Sequence, residues 1–247
     1  MPRFARELPG TPLLVVTSED VGPLPLLTPA EESHLETLIH EKRRTEWVLG
    51  RIAGKEALAR LVARAPEEIA VLPGASGEPT GYLGSVPLPQ GLSLSHGHGQ
   101  AIAWALEQGR PGVDLERVKP RPEGTFRFYL APEERTPLEQ LEGSARDTAA
   151  VVLWSLKEAV WKTLRPHRGV ALLDFALGEV DATAEEGEVA AEPRGAALEV
   201  ARPLGVASIH ARFVRRGDLV YAWAWTGTGS GCGPGSGSVS WPAPRPG

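Results

Sequence analysis

The chain has 247 residues, with 26 Lys and Arg against 31 Asp and Glu and a formal charge of −5. That length allows one large domain or two small ones, and the acidic balance argues against nucleic-acid binding by bulk electrostatics. One cysteine, Cys232, excludes a disulfide framework or a cysteine metal cage. No apolar run suffices for a membrane span, and the first residues lack a signal-peptide pattern, so a cytoplasmic monomer without membrane contact is the expectation.

Leu13–Thr17 reads as a strand, and Thr28-Pro29-Ala30-Glu31 as a helix start with a capping hydroxyl, proline in the first turn and early acids. Helical pattern continues, with interruptions, from Glu31 to about Ala65, and a second short helix begins at Pro66. Glycine and proline punctuate residues 72–90, which predicts a surface loop. Leu92–His96 reads as a strand ending in the turn Gly97-His98-Gly99. Strands at Gln100–Leu106 and Gly112–Val118, joined by a short polar turn, suggest an antiparallel hairpin.

The strongest helix spans Asp147–Leu164, with an apolar stripe through Val152, Leu156, Ala159 and Val160. Leu172–Val180, Ala197–Ala201, Ala207–Val214 and Leu219–Trp225 read as strands of a second sheet, and the acidic stretch 185–194 as a loop. From Gly227 onward the Gly/Ser/Pro-rich composition predicts a disordered tail. The order of elements therefore predicts an α+β protein of two similar halves, 1–108 and 109–226, with the tail 227–247.

Two elements carry chemistry. In Gly112-Val113-Asp114-Leu115-Glu116 an extended strand sets both carboxylates on one face. In Trp154-Ser155-Leu156-Lys157-Glu158-Ala159-Val160-Trp161-Lys162, helical periodicity stacks Trp154, Glu158 and Lys162 along one side. Three carboxylates meeting at one point repel unless a cation or protons relieve them, and Mg²⁺ completed by substrate phosphates suits such a set. Each piece also has a plainer explanation, edge-strand acids that deter pairing or a solvated i to i+4 ion pair. Ser95-His96-Gly97 ends its strand with donors suited to an anion. Basic residues gather at Lys42, Arg43, Arg44, Arg51 and Lys55 in an otherwise acidic chain.

Taken in order, Arg51…Lys55, Gly77-Glu78-Pro79, Ser95-His96, Gly112–Glu116 and Trp154–Lys162 resemble the 4′-phosphopantetheinyl transferases of the larger, Sfp-type class. The resemblance implies a pseudo-dimer of two α+β halves with coenzyme A in the cleft between them. Its activity would be transfer of phosphopantetheine to a serine of an apo acyl or peptidyl carrier protein, releasing 3′,5′-ADP. It further implies Mg²⁺ held by Asp114, Glu116 and Glu158, with Glu158, Lys162 and Glu133 in the chemistry. Coenzyme A would meet Ser95, His96 and Lys162 together with basic residues among Arg43, Arg51 and Lys55. The carrier would contact residues 126–141 and 42–51.

Glu78 departs from the family, which commonly has lysine between the glycine and the proline. A non-catalytic module that binds coenzyme A or a carrier protein is the alternative reading. A nucleotide hydrolase ordinarily needs a Gly-rich phosphate loop ending in Lys-Ser/Thr, which the sequence lacks.

Overall fold

A computed structural model of the chain describes residues 4–19, 27–75, 77–164 and 169–226. The expected tail from Gly227, with Cys232, lies outside the described residues. The N-terminal part runs β1 (Arg6–Glu7), β2 (Leu14–Thr17), α1 (Pro29–Glu36), α2 (Glu41–Val62), β3 (Ile69–Pro73), β4 (Pro79–Leu83), β5 (Val86–Pro87), β6 (Gly91–Gly97) and β7 (Gln100–Leu106). The C-terminal part runs β8 (Arg110–Arg117), α3 (Pro132–Glu139), α4 (Gly143–Leu164), β9 (Phe175–Leu177), β10 (Glu186–Pro193), α5 (Gly195–Ala201), β11 (Ile209–Arg216) and β12 (Leu219–Thr226). The fold is α+β.

Strands β1-β2-β7-β6 form one antiparallel sheet and β8-β12-β11-β10-β9 another. Two-residue periodicity decides their packing. Leu14, Val16, Ala101 and Ala103 face α2, whereas Leu13, Val15, Ile102 and Trp104 face the second sheet. On β12, Tyr221, Trp223 and Trp225 meet that shared layer, while Val220, Ala222 and Ala224 pack towards α4. Helix, sheet, sheet and helix are thus stacked in four layers, and the edge-to-face pair Trp104–Trp225 at 6.1 Å sits at the seam.

The two parts repeat one plan. In each, an early strand pairs with the last, β2 with β7 and β8 with β12, and the last pairs with its hairpin neighbour. In each, a short helix with proline in its first turn precedes a helix of 22 residues. The third residue of that short helix is a buried glutamate that closes a capping box: Glu31 accepts from Thr28 N at 2.8 Å and Glu134 from Ala131 N at 2.7 Å. Both glutamates also accept a strand N–H, from Val71 on β3 and from Leu177 on β9. Both bind a fully buried lysine, Lys55 at 2.6 Å and Lys157 at 2.7 Å. These lysines occupy equivalent places, Lys55 in a helix beginning at Glu41 and Lys157 in one beginning at Gly143.

Five expectations need correction. Residues 72–90 build most of a small sheet, β3-β4-β5, because Gly77 at φ +86° and Gly84 at φ +59° close tight turns rather than open a loop. The strands β7 and β8 do not form a hairpin; the polar turn between them carries the chain from one sheet to the other. Residues 186–193 are a strand whose Val189, Ala191 and Pro193 alternate inward beneath the charged sequence. Ala197–Ala201 belongs to a helix, since alanine-rich sequence favours helix where no sheet edge claims it. Only Phe175–Leu177 of the stretch 172–180 is strand, preceded by a 3₁₀ turn.

At Gly112, strand β8 and helix α4 touch backbone to backbone. A β-carbon there would overlap the carbonyl oxygen of Ala159 and stand 3.0 Å from Thr163 Cγ2. Gly112→Ala should therefore cost about 3 kcal/mol by separating strand and helix, read by urea denaturation; a change under about 0.5 kcal/mol contradicts this. Lys157→Met should cost about 3–5 kcal/mol by leaving Glu134 charged and buried, and adding Glu134→Leu should recover most of it. Additive losses in the double variant would contradict the pairing.

Candidate active site

The close approach at Gly112 brings the acidic face of β8 against the polar side of α4. Asp114 and Glu116 pair with Ala222 and Val220 of β12, and so share the face that those residues turn towards α4. Lys162, one helical turn beyond Glu158, reaches over to donate to Val113 O and Asp114 Oδ1, both at 2.9 Å. From the other sheet, Ser93 Oγ accepts Val113 N at 3.0 Å, and Ser95 Oγ donates to Asp114 Oδ1 at 3.3 Å. The edges of both sheets and α4 therefore converge on Asp114.

Electrostatics mark the same place. Burial pushes the Glu158 carboxyl above its ordinary value; Lys162 opposes that rise, while Asp114 and Glu116 add to it by like-charge repulsion. Asp114 is buried, and its Oδ2 has no hydrogen-bond partner. A carboxylate oxygen left so retains a strong, unused acceptor. Glu116 faces Arg121 Nη2 at 3.6 Å. Among the described residues no three potential ligand groups stand together at ion-holding distance. Two of the three carboxylates are instead balanced by Lys162 and Arg121.

The other predicted residues divide. Ser95 joins the carboxylates, whereas His96, on the opposite face of β6, turns towards α2, where its Nδ1 lies 3.9 Å from Glu46. Burial is the largest influence on His96 and holds it below its ordinary value, so it is neutral near pH 7. Arg51 lies buried with its guanidinium 4.1 Å above Trp47 and its Nε donating to Val71 O. Burial lowers it to about 10. Arg43 is exposed in the first turn of α2. Glu78 lies just before β4, where its carbonyl accepts Gly74 N at 2.7 Å.

Lys55 and Glu133 stand apart from the carboxylates. Lys55 is fully buried and its ammonium pairs with Glu31 at 2.6 Å. Glu133 is 59% exposed and paired with Arg194 at 2.9 Å. The carboxylate that turns inward is its neighbour Glu134, fixed by Lys157 and the N-terminus of α3. Sequence reasoning missed Glu134 although the capping pattern marked it, and missed Arg121, whose place beside Glu116 no spacing rule predicts.

Residues 110–201 match the family model described as the 4′-phosphopantetheinyl transferase superfamily. The chain is 32% identical over 179 residues to the 4′-phosphopantetheinyl transferase Svp of Streptomyces mobaraensis, covering 69% of this chain and 63% of the relative. It is 26% identical over 139 residues to a putative 4′-phosphopantetheinyl transferase of a Synechocystis strain, covering 56% of each. The chain thus spans less than two thirds of either relative's length. A solved holo-ACP-synthase from Plasmodium yoelii aligns at TM-score 0.39 and 17% identity, over 47% of this chain and 92% of that one. The segment that matches the family model contains Asp114, Glu116, Glu158 and Lys162, and over residues 110–201 the chain is similar to the 4′-phosphopantetheinyl transferase superfamily.

Proposed function

We propose that this protein transfers the 4′-phosphopantetheine group of coenzyme A to a serine of an apo acyl or peptidyl carrier protein. The observation that carries the proposal is the environment of Asp114. One of its oxygens is held by Lys162 and Ser95, and the other is buried without a partner beside Glu158. Hard oxygen ligands of this kind fit Mg²⁺, with Asp114, Glu116 and Glu158 as the protein's share. When bound, the ion would supply neutralisation of pyrophosphate charge.

The chain's own groups provide the rest. The carrier serine oxygen forms a bond to the phosphorus that bears pantetheine, the pyrophosphate P–O bond breaks, and 3′,5′-ADP departs. Glu158, whose proton affinity is raised by burial and by its acidic neighbours, takes the serine proton directly or through water. Lys162, held by Asp114 and Val113 O, keeps a positive charge next to the site for the departing phosphate. His96 and Arg51 lie near one another between β6 and α2 and receive the 3′-phosphate, with the His96 imidazole and the guanidinium as donors. Such chemistry depends on alignment and charge more than on covalent participation.

The carrier is proposed to dock across the exposed Phe128 and the basic first turn of α2, where Ile39 also stands exposed. An acidic partner is steered to that locally basic surface. The cleft between the halves, 1–108 and 109–226, is the proposed seat of coenzyme A. A monomer acting in the cytoplasm is the accompanying reading.

Intact-mass spectrometry of apo carrier proteins incubated with the protein, coenzyme A and Mg²⁺ tests the proposal. A gain of one phosphopantetheine, about 340 Da, that EDTA prevents is expected; no gain on any carrier overturns it. Glu158→Gln should lower turnover at least about 10³-fold while its thermal unfolding stays within a few degrees of the parent. Near-parental turnover by folded Glu158→Gln would remove Glu158 from the chemistry.

A further inference from the structure

We infer that Arg121 is the resident counter-ion of Glu116 and exchanges it for a phosphoryl oxygen of the donor substrate when a divalent cation claims the carboxylates. The inference rests on the reading of the site given above and assigns that site a further substrate-contacting residue.

Arg121 stands between Pro120 and Pro122 in the connection that leaves β8. Proline on both sides restricts the backbone there, so the side chain starts from a narrow range of directions. Its guanidinium lies 4.7 Å above the ring of Trp154, the first residue of the helical motif. Trp154 packs edge-to-face on Tyr129 at 5.0 Å, and the Tyr129 hydroxyl is anchored to Ala150 O. The guanidinium is thus held over a fixed aromatic platform, with donors that suit a planar or tetrahedral anion.

Its bonding is incomplete. The approach of Nη2 to Glu116 Oε1, at 3.6 Å, is an ion pair too long for a hydrogen bond. The Nε–H is buried and has no acceptor. An arginine serving only to anchor Glu116 would form the short, forked pair that its geometry favours. The looser contact is that of two charges balancing one another while neither is fully engaged. Lys162, by contrast, makes two hydrogen bonds at 2.9 Å to β8 and cannot turn away without losing both.

A guanidinium and a divalent cation repel, so they compete for Glu116 rather than share it. Once the carboxylate is drawn to the cation, the guanidinium loses its balancing charge while Trp154 still holds it at the rim. The nearest anion then presented to the site is the pyrophosphate of coenzyme A, whose oxygens match the guanidinium fork.

The test compares the parent protein with Arg121→Gln and Arg121→Lys. Free Mn²⁺ is followed by electron paramagnetic resonance, and coenzyme A binding by calorimetry with Mn²⁺ present. Arg121→Gln should bind Mn²⁺ alone about threefold more tightly and Mn²⁺-dependent coenzyme A about tenfold more weakly. Arg121→Lys, which keeps the charge but loses the fork, should fall between the two and guards against a folding defect in the glutamine variant. Parental affinities for both ligands in both variants would overturn the inference alone. Weaker Mn²⁺ binding by folded Arg121→Gln would also overturn it, by making Arg121 a prop for Glu116. A parent protein that binds neither Mn²⁺ nor coenzyme A would overturn the reading of the site itself.

Discussion

The absence of a side chain at Gly112 sets the spacing on which the site depends. Strand β8 and helix α4 meet so closely there that a β-carbon would collide with the Ala159 carbonyl. Two residues further along β8, that proximity sets Asp114 within reach of Lys162 and in the field of Glu158. Had the strand stood off by the width of a methyl group, Lys162 could not bond both Val113 O and Asp114. The glycine, the alternation of Asp114 and Glu116, and the one-turn step from Glu158 to Lys162 are parts of one geometric device.

A second constraint holds the device at its proper depth. In each half a buried glutamate at the start of a short helix binds the long helix through lysine and a strand through its N–H. Such clamps exchange favourable charge pairing for heavy desolvation, so they contribute little net stability yet tolerate few alternative arrangements. In the C-terminal half the clamp lies immediately before Glu158 in sequence, and so fixes the rotation of α4 that presents Glu158 and Lys162 to β8. In the N-terminal half the same clamp consumes Lys55. There the residue after the lysine, Glu56, is buried and accepts Phe4 N, so the equivalent position is structural.

Much of this was legible in the sequence for local reasons. The Thr28-Pro29 helix start, the strand 100–106 and the core of α4 follow from capping, alternation and 3.6-residue periodicity, which need no knowledge of the partner surface. The misreadings share a cause, since each depended on what lay opposite. The acidic strand 186–193 is stabilised by β11, and the glycine-rich stretch 72–90 by its own turns and by packing against α2. The resemblance set Lys55 among the residues that meet coenzyme A, and charge pattern cannot reveal that Glu31, 24 residues earlier, is buried beside it. Which of the adjacent Glu133 and Glu134 the helix turns inward depends on Lys157 opposite, and no local pattern shows that. Arg121 was unreadable because its partners come from β8 and α4 through folding alone.

The claim on which everything else rests is that Asp114, Glu116 and Glu158 together hold a divalent cation against the phosphates of coenzyme A. Anomalous diffraction from crystals grown with Mn²⁺ and coenzyme A tests it most directly. The account predicts one anomalous peak within bonding distance of Asp114 Oδ2 and of the Glu116 and Glu158 carboxylates, adjoining the pyrophosphate. A peak elsewhere, or coenzyme A bound with Lys162 and Arg121 still the only cations on these carboxylates, would contradict it.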